Sequence, residues 1–184
     1  LLAEEIGAWN IPDAPPHRIP SRGFPMKRSG RAIQKKVEKL LSYAPAVQDP
    51  DAAEAHHAMR IAAKRLRYVI EVYAPLYRNE LKPMLKRLKA LQEILGNLHD
   101  CDVWIMDLQD TLKRMEDQSA DRDPELEAGM AFILKDRREA RAACYLALKE
   151  EWETLTASGL FSDLIDTVSA GAKQGFGSSS FTPR

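Results

Sequence analysis

Apolar side chains recur every three or four residues across the middle of the chain, and this period constrains the fold more than any other feature. They are Met84, Leu85, Leu88, Leu91, Leu95, Leu98, Ile105, Leu108, Leu112 and Met115. A period near 3.6 is typical of one face of an α-helix, and no alternation typical of a strand accompanies it. The sequence therefore predicts an all-α fold in which long helices pack as an antiparallel bundle.

Helix boundaries follow from capping residues and prolines. The predicted helices span residues 31–43, 49–73, 79–116, 123–155 and 159–168. Asp49 before Pro50 and Asp123 before Pro124 predict two helix starts, because aspartate caps free amides and proline fits the first helical position. Gly96 indicates either a break in the third helix or a close contact with another helix. The predicted apolar face of the fourth helix consists of Leu126, Met130, Ile133, Cys144 and Leu148.

The composition divides the chain into three parts. The composition predicts the end of a preceding helix and a proline-rich linker over residues 1–30 and a helical domain over residues 31–168. It predicts a disordered tail rich in glycine and serine over residues 169–184. The cysteines, Cys101 and Cys144, form neither a metal-type cluster nor a CxxC motif, so nothing requires an oxidising compartment. Charges interrupt every apolar run, which favours a cytoplasmic protein without a membrane span.

The charges are balanced in total and separated along the chain. Residues 27–89 hold 15 Lys and Arg against 6 Asp and Glu, a difference of +9, whereas residues 90–136 hold 4 against 12, a difference of −8. A local field steers ligands better than a total charge does. The net charge of zero therefore does not exclude an anionic partner.

The helix predicted over residues 49–73 places four cationic or protonatable side chains on one stripe. This basic stripe consists of His57, Arg60, Lys64 and Arg67. The opposite side is apolar and consists of Met59, Ala62, Ala63, Leu66, Ile70 and Tyr73. A stripe at this spacing is either a solvated face or an anion site, and Glu71 is the one close carboxylate downstream on the same helix. His56 diverges from His57 by about 100° and is predicted at the surface.

Two further pairs of cations are candidate anion ligands. Lys86 and Lys89 share a face of the next helix, which is equally typical of solvated lysines. Arg137 and Arg141 interrupt the predicted apolar face of the fourth helix. Because a buried unpaired guanidinium is unfavourable, these arginines either line a wet groove or pair with the acidic segment of residues 100–110.

The segments HAMRIAAKRLRY and LKRLKALQEILGNLHDCDV together resemble the CHAD family, the conserved-histidine α-helical domain. The resemblance runs from about Arg31 to Leu155 and fits mainly the second of the family's two similar helical halves. It implies one half, a four-helix bundle, of a pseudo-symmetric repeat, with an N-terminal connecting segment. His99 stands before Asp100, where asparagine is common in the family.

The resemblance also implies a function. Similar family members bind inorganic polyphosphate without catalysis and often accompany polyphosphate granules or a triphosphate-tunnel enzyme domain. The implied ligands are His57, Arg60, Lys64, Arg65 and Arg67 on the signature helix, with Lys86 and Lys89 on the second basic helix. Arg137 and Arg141 complete the predicted set. The expected location is cytoplasmic, including association with such granules.

Other functions fit the residues less well. A basic surface can also dock nucleic acid or an acidic protein, but Tyr68 is the one aromatic side chain among the cations, and no helix-turn-helix pattern occurs. A metal site would have to gather His56, His57, His99 and Asp100, beside arginines that repel a cation. No P-loop, nucleophile elbow or His-Glu-x-x-His motif indicates an enzyme, and no cofactor is expected.

Overall fold

The computed structural model of the protein describes residues 23–117 and 123–174. They form five α-helices, Gly23–Leu41 (α1), Ala53–Tyr73 (α2), Lys82–Asp117 (α3), Pro124–Ala157 (α4) and Leu160–Gln174 (α5). Two 3₁₀ turns, Ala44–Gln48 and Ala74–Tyr77, connect α1 to α2 and α2 to α3. Within these residues no strand occurs, and the predicted all-α bundle is confirmed.

The helices form one packed series. α1 lies against both α5 and α2, α2 lies against α3, and α3 lies against α4. The main core consists of apolar side chains from α1, α2, the first half of α3, the C-terminal part of α4 and α5. Its fully buried members include Ile33, Leu40, Met59, Leu66, Ile70, Leu88, Leu91, Leu95, Leu98, Leu148 and Leu155. Beyond Leu98, α3 and α4 continue as a helical pair outside this cluster.

The helix predicted from residue 31 begins at Gly23, so residues 23–30 are helical within the segment predicted as a linker. Ser29 and Gly30 are buried because α5 packs on this turn. A Cβ at Gly30 would lie 3.3 Å from the carbonyl oxygen of Val168, so glycine permits the close approach of α1 and α5. Ser29 Oγ donates to the carbonyl oxygen of Met26 at 2.8 Å and lies 2.5 Å from the Tyr77 hydroxyl.

The start of α2 corrects two predictions. Asp49 and Pro50 do not cap this helix, which begins at Ala53; instead, Asp49 Oδ1 accepts from the backbone amide of Asp51 at 2.9 Å in the preceding turn. His56 is also not at the surface: its side chain is 2% exposed. Its Nε2 lies 2.9 Å from the carbonyl oxygen of Ala46, because the turn Ala44–Gln48 folds over the beginning of α2.

For α3 and α4, the observed helix boundaries agree with the predicted ones better than the buried faces do. α3 passes through Gly96 without a break, so Gly96 marks a helix contact. Asp123 Oδ1 accepts from the amides of Glu125 and Leu126 at 3.0 and 3.2 Å, which confirms the predicted cap of α4. The predicted apolar face of α4 is wrong in its first half, where Leu126 and Ile133 are exposed and Leu134 is buried.

Several predictions fall at or beyond the edges of the described residues. α5 extends to Gln174, six residues into the segment 169–184 predicted as a tail. The helix end predicted over residues 1–9, most of the acidic loop at 118–122 and the remainder of the tail lie outside the described residues. None of the described helices is both long enough and apolar enough to cross a membrane.

An ion pair between Arg87 and Glu151 links α3 to α4 beside the core. Arg87 Nη2 lies 3.3 Å from Glu151 Oε2, and the Glu151 side chain is 12% exposed. Burial raises the pKa of Glu151 above its ordinary value of 4.5, and the attraction of Arg87 only partly opposes this rise. Since the folded state favours the protonated form, ionisation of Glu151 destabilises the fold.

We predict that wild type loses stability relative to Glu151→Gln as the pH rises from 4 to 7. Because the pKa of Glu151 is raised in the folded state, its ionisation costs no folding free energy below the ordinary pKa of 4.5. The full cost is reached once the pH exceeds the raised pKa. The measurement is the free energy of unfolding of both proteins by denaturant titration at each pH. Other titrating groups cancel in the difference. A difference that is constant or that changes in the opposite direction would contradict the prediction.

Candidate functional site

A shallow groove of about 330 Å³ runs between α2 and α3. Four cations line this α2–α3 groove, Arg60, Lys64 and Arg67 from α2 and Lys89 from α3, together with Gln92 and Glu93. The α2 cations share a face because residues three and four apart align on a helix. The predicted apolar side of the same helix is buried from Met59 to Ile70, so packing turns the basic stripe outward along the edge of α3.

Arg60 of α2 lies beside Gly96 of α3. A Cβ at Gly96 would lie 4.0 Å from Arg60 Nε, which is ordinary van der Waals contact. Arg60 is half-buried in the groove, while Lys64 and Lys89 are exposed.

Arg67 is more constrained than the other cations of the groove. Its Nη1 lies 3.4 Å from Glu71 Oε1, and its guanidinium carbon lies 4.8 Å from the centre of the Tyr68 ring. Its Nε is buried and has no hydrogen-bond partner. A buried donor without a hydrogen-bond partner is energetically unfavourable.

Glu93 places one carboxylate among these cations. It is exposed, and within the described residues no Lys or Arg nitrogen lies within 4.0 Å of its oxygens. Gln92 and Glu93 follow Lys89 by three and four residues and therefore share its face of α3. Helical periodicity is therefore the sequence signal that places both residues beside Lys89.

His57, one turn before Arg60, contacts α3 instead of lining the groove. Its Nδ1 lies 3.2 Å from Nδ1 of His99, and the ring centres are 4.2 Å apart. In such a pair one imidazole donates and the other accepts, so a hydrogen bond between the rings joins α2 to α3. His99, which departs from the family pattern, was grouped with His57 only in the hypothetical metal site, and their direct hydrogen bond was not predicted.

The structure separates the remaining predicted ligands from the groove. Arg65 is exposed and projects about 100° from Lys64 around α2. Lys86 is exposed one turn before Lys89 on α3 and does not line the groove. Arg137 and Arg141 lie on α4, which packs mainly on α3, and neither lines the groove.

The two arginines of α4 that were predicted as ligands, Arg137 and Arg141, are engaged in ion pairs. Arg141 pairs with Asp102 of α3 and donates from Nη1 to the carbonyl oxygen of Pro50 at 2.8 Å. This is the structural pairing with residues 100–110 that the sequence left open. Arg137 instead pairs with its neighbour Asp136, to which its Nε donates at 3.0 Å.

The described residues do not gather metal ligands. In the ranges 23–117 and 123–174 no group of three or more His, Cys, Asp or Glu side chains is arranged to hold a metal ion. His56 points into the core toward Ala46, whereas His57 points to His99. The four residues of the hypothetical metal site therefore do not converge.

Comparison with known proteins agrees with the motif on α2 and α3. The family model described as the CHAD domain matches residues 2–109, more than half of the chain. The chain belongs to the CHAD family. The family predicted from the signature segments is thus confirmed, although the match begins and ends earlier than the predicted range of 31 to 155. No curated protein and no solved structure matched the chain.

The CHAD match includes both helices of the groove. All of α2 and the part of α3 that carries Lys89, Glu93 and His99 lie within residues 2–109, whereas α4 and α5 lie outside. The family is associated in general terms with polyphosphate binding. The α2–α3 groove is therefore the candidate site within the matched part of the chain.

We predict that Arg141→Ala lowers the free energy of unfolding by about 1–3 kcal/mol, because Asp102 loses its partner at a half-buried position. The measurement is equilibrium denaturation at neutral pH. Arg138→Ala is the matched control, since Arg138 is exposed on the same helix, and its effect is expected within about 0.5 kcal/mol. Equal effects of the two substitutions would contradict a structural role for Arg141.

Proposed function

We propose that this CHAD domain binds inorganic polyphosphate in the α2–α3 groove and does so without catalysis. The observation that carries the proposal is the convergence of Arg60, Lys64, Arg67 and Lys89 on one groove. Among the described residues, no carboxylate oxygen lies within 4.0 Å of the Arg60, Lys64 or Lys89 nitrogens. These three charges are therefore available to an anionic ligand.

The spacing suits a linear anion that repeats along its length. Arg60, Lys64 and Arg67 rise about 10 Å along α2, so they can contact successive phosphates of one chain. Arginine offers forked donors to phosphate oxygens, and lysine offers a mobile point charge. The arrangement needs no base or sugar contact, because polyphosphate consists of charged backbone alone.

The same residues support binding in preference to chemistry. The groove contributes four cations, one amide and one carboxylate. Phosphoryl transfer requires a positioned nucleophile and a charge clamp on the transferred group, usually built from several carboxylates and a divalent ion. We assign Glu93 no catalytic role. Binding in this groove would recruit the protein to polyphosphate. The proposed partners are polyphosphate granules and a triphosphate-tunnel enzyme domain.

Nucleic acid is the competing ligand class. Tyr68 is 46% exposed, and the Lys64 ammonium lies 5.7 Å from its ring centre, so one aromatic surface borders the groove. Proteins that hold single strands stack successive bases on several aromatic side chains. A single tyrosine beside four cations favours a ligand without bases.

We predict that Arg60→Glu combined with Lys64→Glu weakens polyphosphate binding at least about 100-fold, because two charge-assisted contacts become repulsive. Fluorescence anisotropy with labelled polyphosphate at about 150 mM salt measures the affinity, and circular dichroism checks the fold. Lys113→Glu combined with Lys135→Glu makes the same charge change on exposed residues of the distal α3–α4 pair and is the control.

Two outcomes would overturn the groove assignment. One is unchanged binding by the folded Arg60→Glu, Lys64→Glu variant. The other is equal loss in the Lys113→Glu, Lys135→Glu control, which would indicate dependence on net charge alone. Competition by single-stranded or duplex DNA at equal phosphate concentration separates the ligand classes. Equal competition by DNA would reduce the groove to a general cation surface.

We predict that Glu93→Gln strengthens polyphosphate binding about 2- to 10-fold, because a carboxylate about 6 Å from a bound phosphate repels it by roughly 1 kcal/mol in a wet groove. The same anisotropy titration measures the change, which should shrink at high salt. Glu116→Gln removes an exposed charge from the far end of α3 and should leave the affinity unchanged. Weaker binding by Glu93→Gln would show that Glu93 contributes to the site.

A further inference from the structure

α1 carries a second row of cations that the groove does not use. Lys27, Arg31, Lys35 and Lys39 recur at every fourth position and are all exposed, and we call them the α1 ladder. They occupy the face opposite the buried residues Ile33, Val37 and Leu40. At 1.5 Å per residue the ladder spans about 18 Å of the helix surface.

Three members of this row are not neutralised by the described acidic residues. Arg31, Lys35 and Lys39 have no carboxylate oxygen within 4.0 Å in the described part of the chain. The one acid of α1, Glu38, accepts from the Gln34 amide at 3.0 Å. Like charges four residues apart destabilise a helix by about 0.2–0.5 kcal/mol per pair, so the ladder is unfavourable for α1 itself. A bound anion would remove this repulsion.

The ladder is separate from the groove. No residue of α1 lines the α2–α3 groove, and α2 lies between α1 and α3. A helix is about 10 Å wide, so a small anion cannot contact both rows at once. Arg65 of α2 is exposed and projects about 140° around the helix from Arg60, which lines the groove.

We propose that the α1 ladder is a second binding track for inorganic polyphosphate, so that a long chain crosses α2 beside Arg65 and occupies both the ladder and the groove. The identity of the ligand rests on the proposed function. A second contact by the same polymer forms at a high effective concentration, which raises affinity without changing the first site. Chain length is therefore the property that this protein distinguishes.

The experiment compares tripolyphosphate with chains of about 100 phosphates, which are long enough to reach both tracks. Binding is measured by isothermal titration calorimetry for wild type, for the ladder variant Arg31→Glu with Lys35→Glu and for the groove variant Arg60→Glu with Lys64→Glu. The control is again Lys113→Glu with Lys135→Glu. Circular dichroism verifies that the helix content of each variant is unchanged.

The ladder variant should bind tripolyphosphate within about 2-fold of wild type and lose about 10- to 100-fold of affinity for the long chain. The control variant should bind both ligands within about 2-fold of wild type. Wild-type affinity of the ladder variant for the long chain would overturn the second track. Equal loss for both ligands would also overturn it, because that result indicates a general field effect.

The two proposals fail in different ways. A groove variant that keeps its affinity for tripolyphosphate overturns the groove as the primary site, whatever the ladder does. A ladder that binds phosphatidylserine vesicles but adds nothing to the affinity for long-chain polyphosphate overturns the second track alone. That result would assign the α1 ladder to an anionic lipid surface. Salt titration of each variant should show a smaller salt dependence where a track is lost.

Discussion

The contact between α2 and α3 is the constraint on which the rest of the structure depends. Leu66 and Ile70 of α2 are fully buried in the core that also holds Leu91 and Leu95 of α3, and this burial fixes the rotation of α2. Because the two faces of α2 are linked by the helical period, burying one side turns the basic stripe to the edge of α3. The cations are thus gathered by apolar packing, and among the described residues Arg67 is the one of them that pairs with a carboxylate, that of Glu71.

The same contact orders the site along its length. At one end His57 and His99 close the interface by a hydrogen bond between rings. In the middle, Arg60 of α2 lies beside Gly96 of α3. Farther along, Lys64 of α2 and Lys89 of α3 line the groove.

The acidic and basic parts of the chain have different structural uses. Some acidic residues of the distal α3–α4 pair stabilise the helices. Asp102 pairs with Arg141, and Asp123 caps α4. Most of the cations of α1 and α2 have no such partner among the described residues, Arg67 with Glu71 being an exception. This asymmetry follows the charge separation along the sequence. It leaves positive potential on one side of the bundle.

The sequence by itself determined the helical class, the basic stripe of α2 and its apolar opposite face, because each depends on periodicity within one helix. It also determined the cap at Asp123, which needs only neighbouring residues. Tertiary structure alone decided that His56 is buried under the turn at Ala46, that His57 meets His99, and that Arg141 is bound to Asp102 while Lys89 joins the groove. These contacts join residues far apart in the chain, and their partners depend on how each helix is rotated against its neighbours. Local periodicity gives the faces of a helix but not which neighbour each face meets.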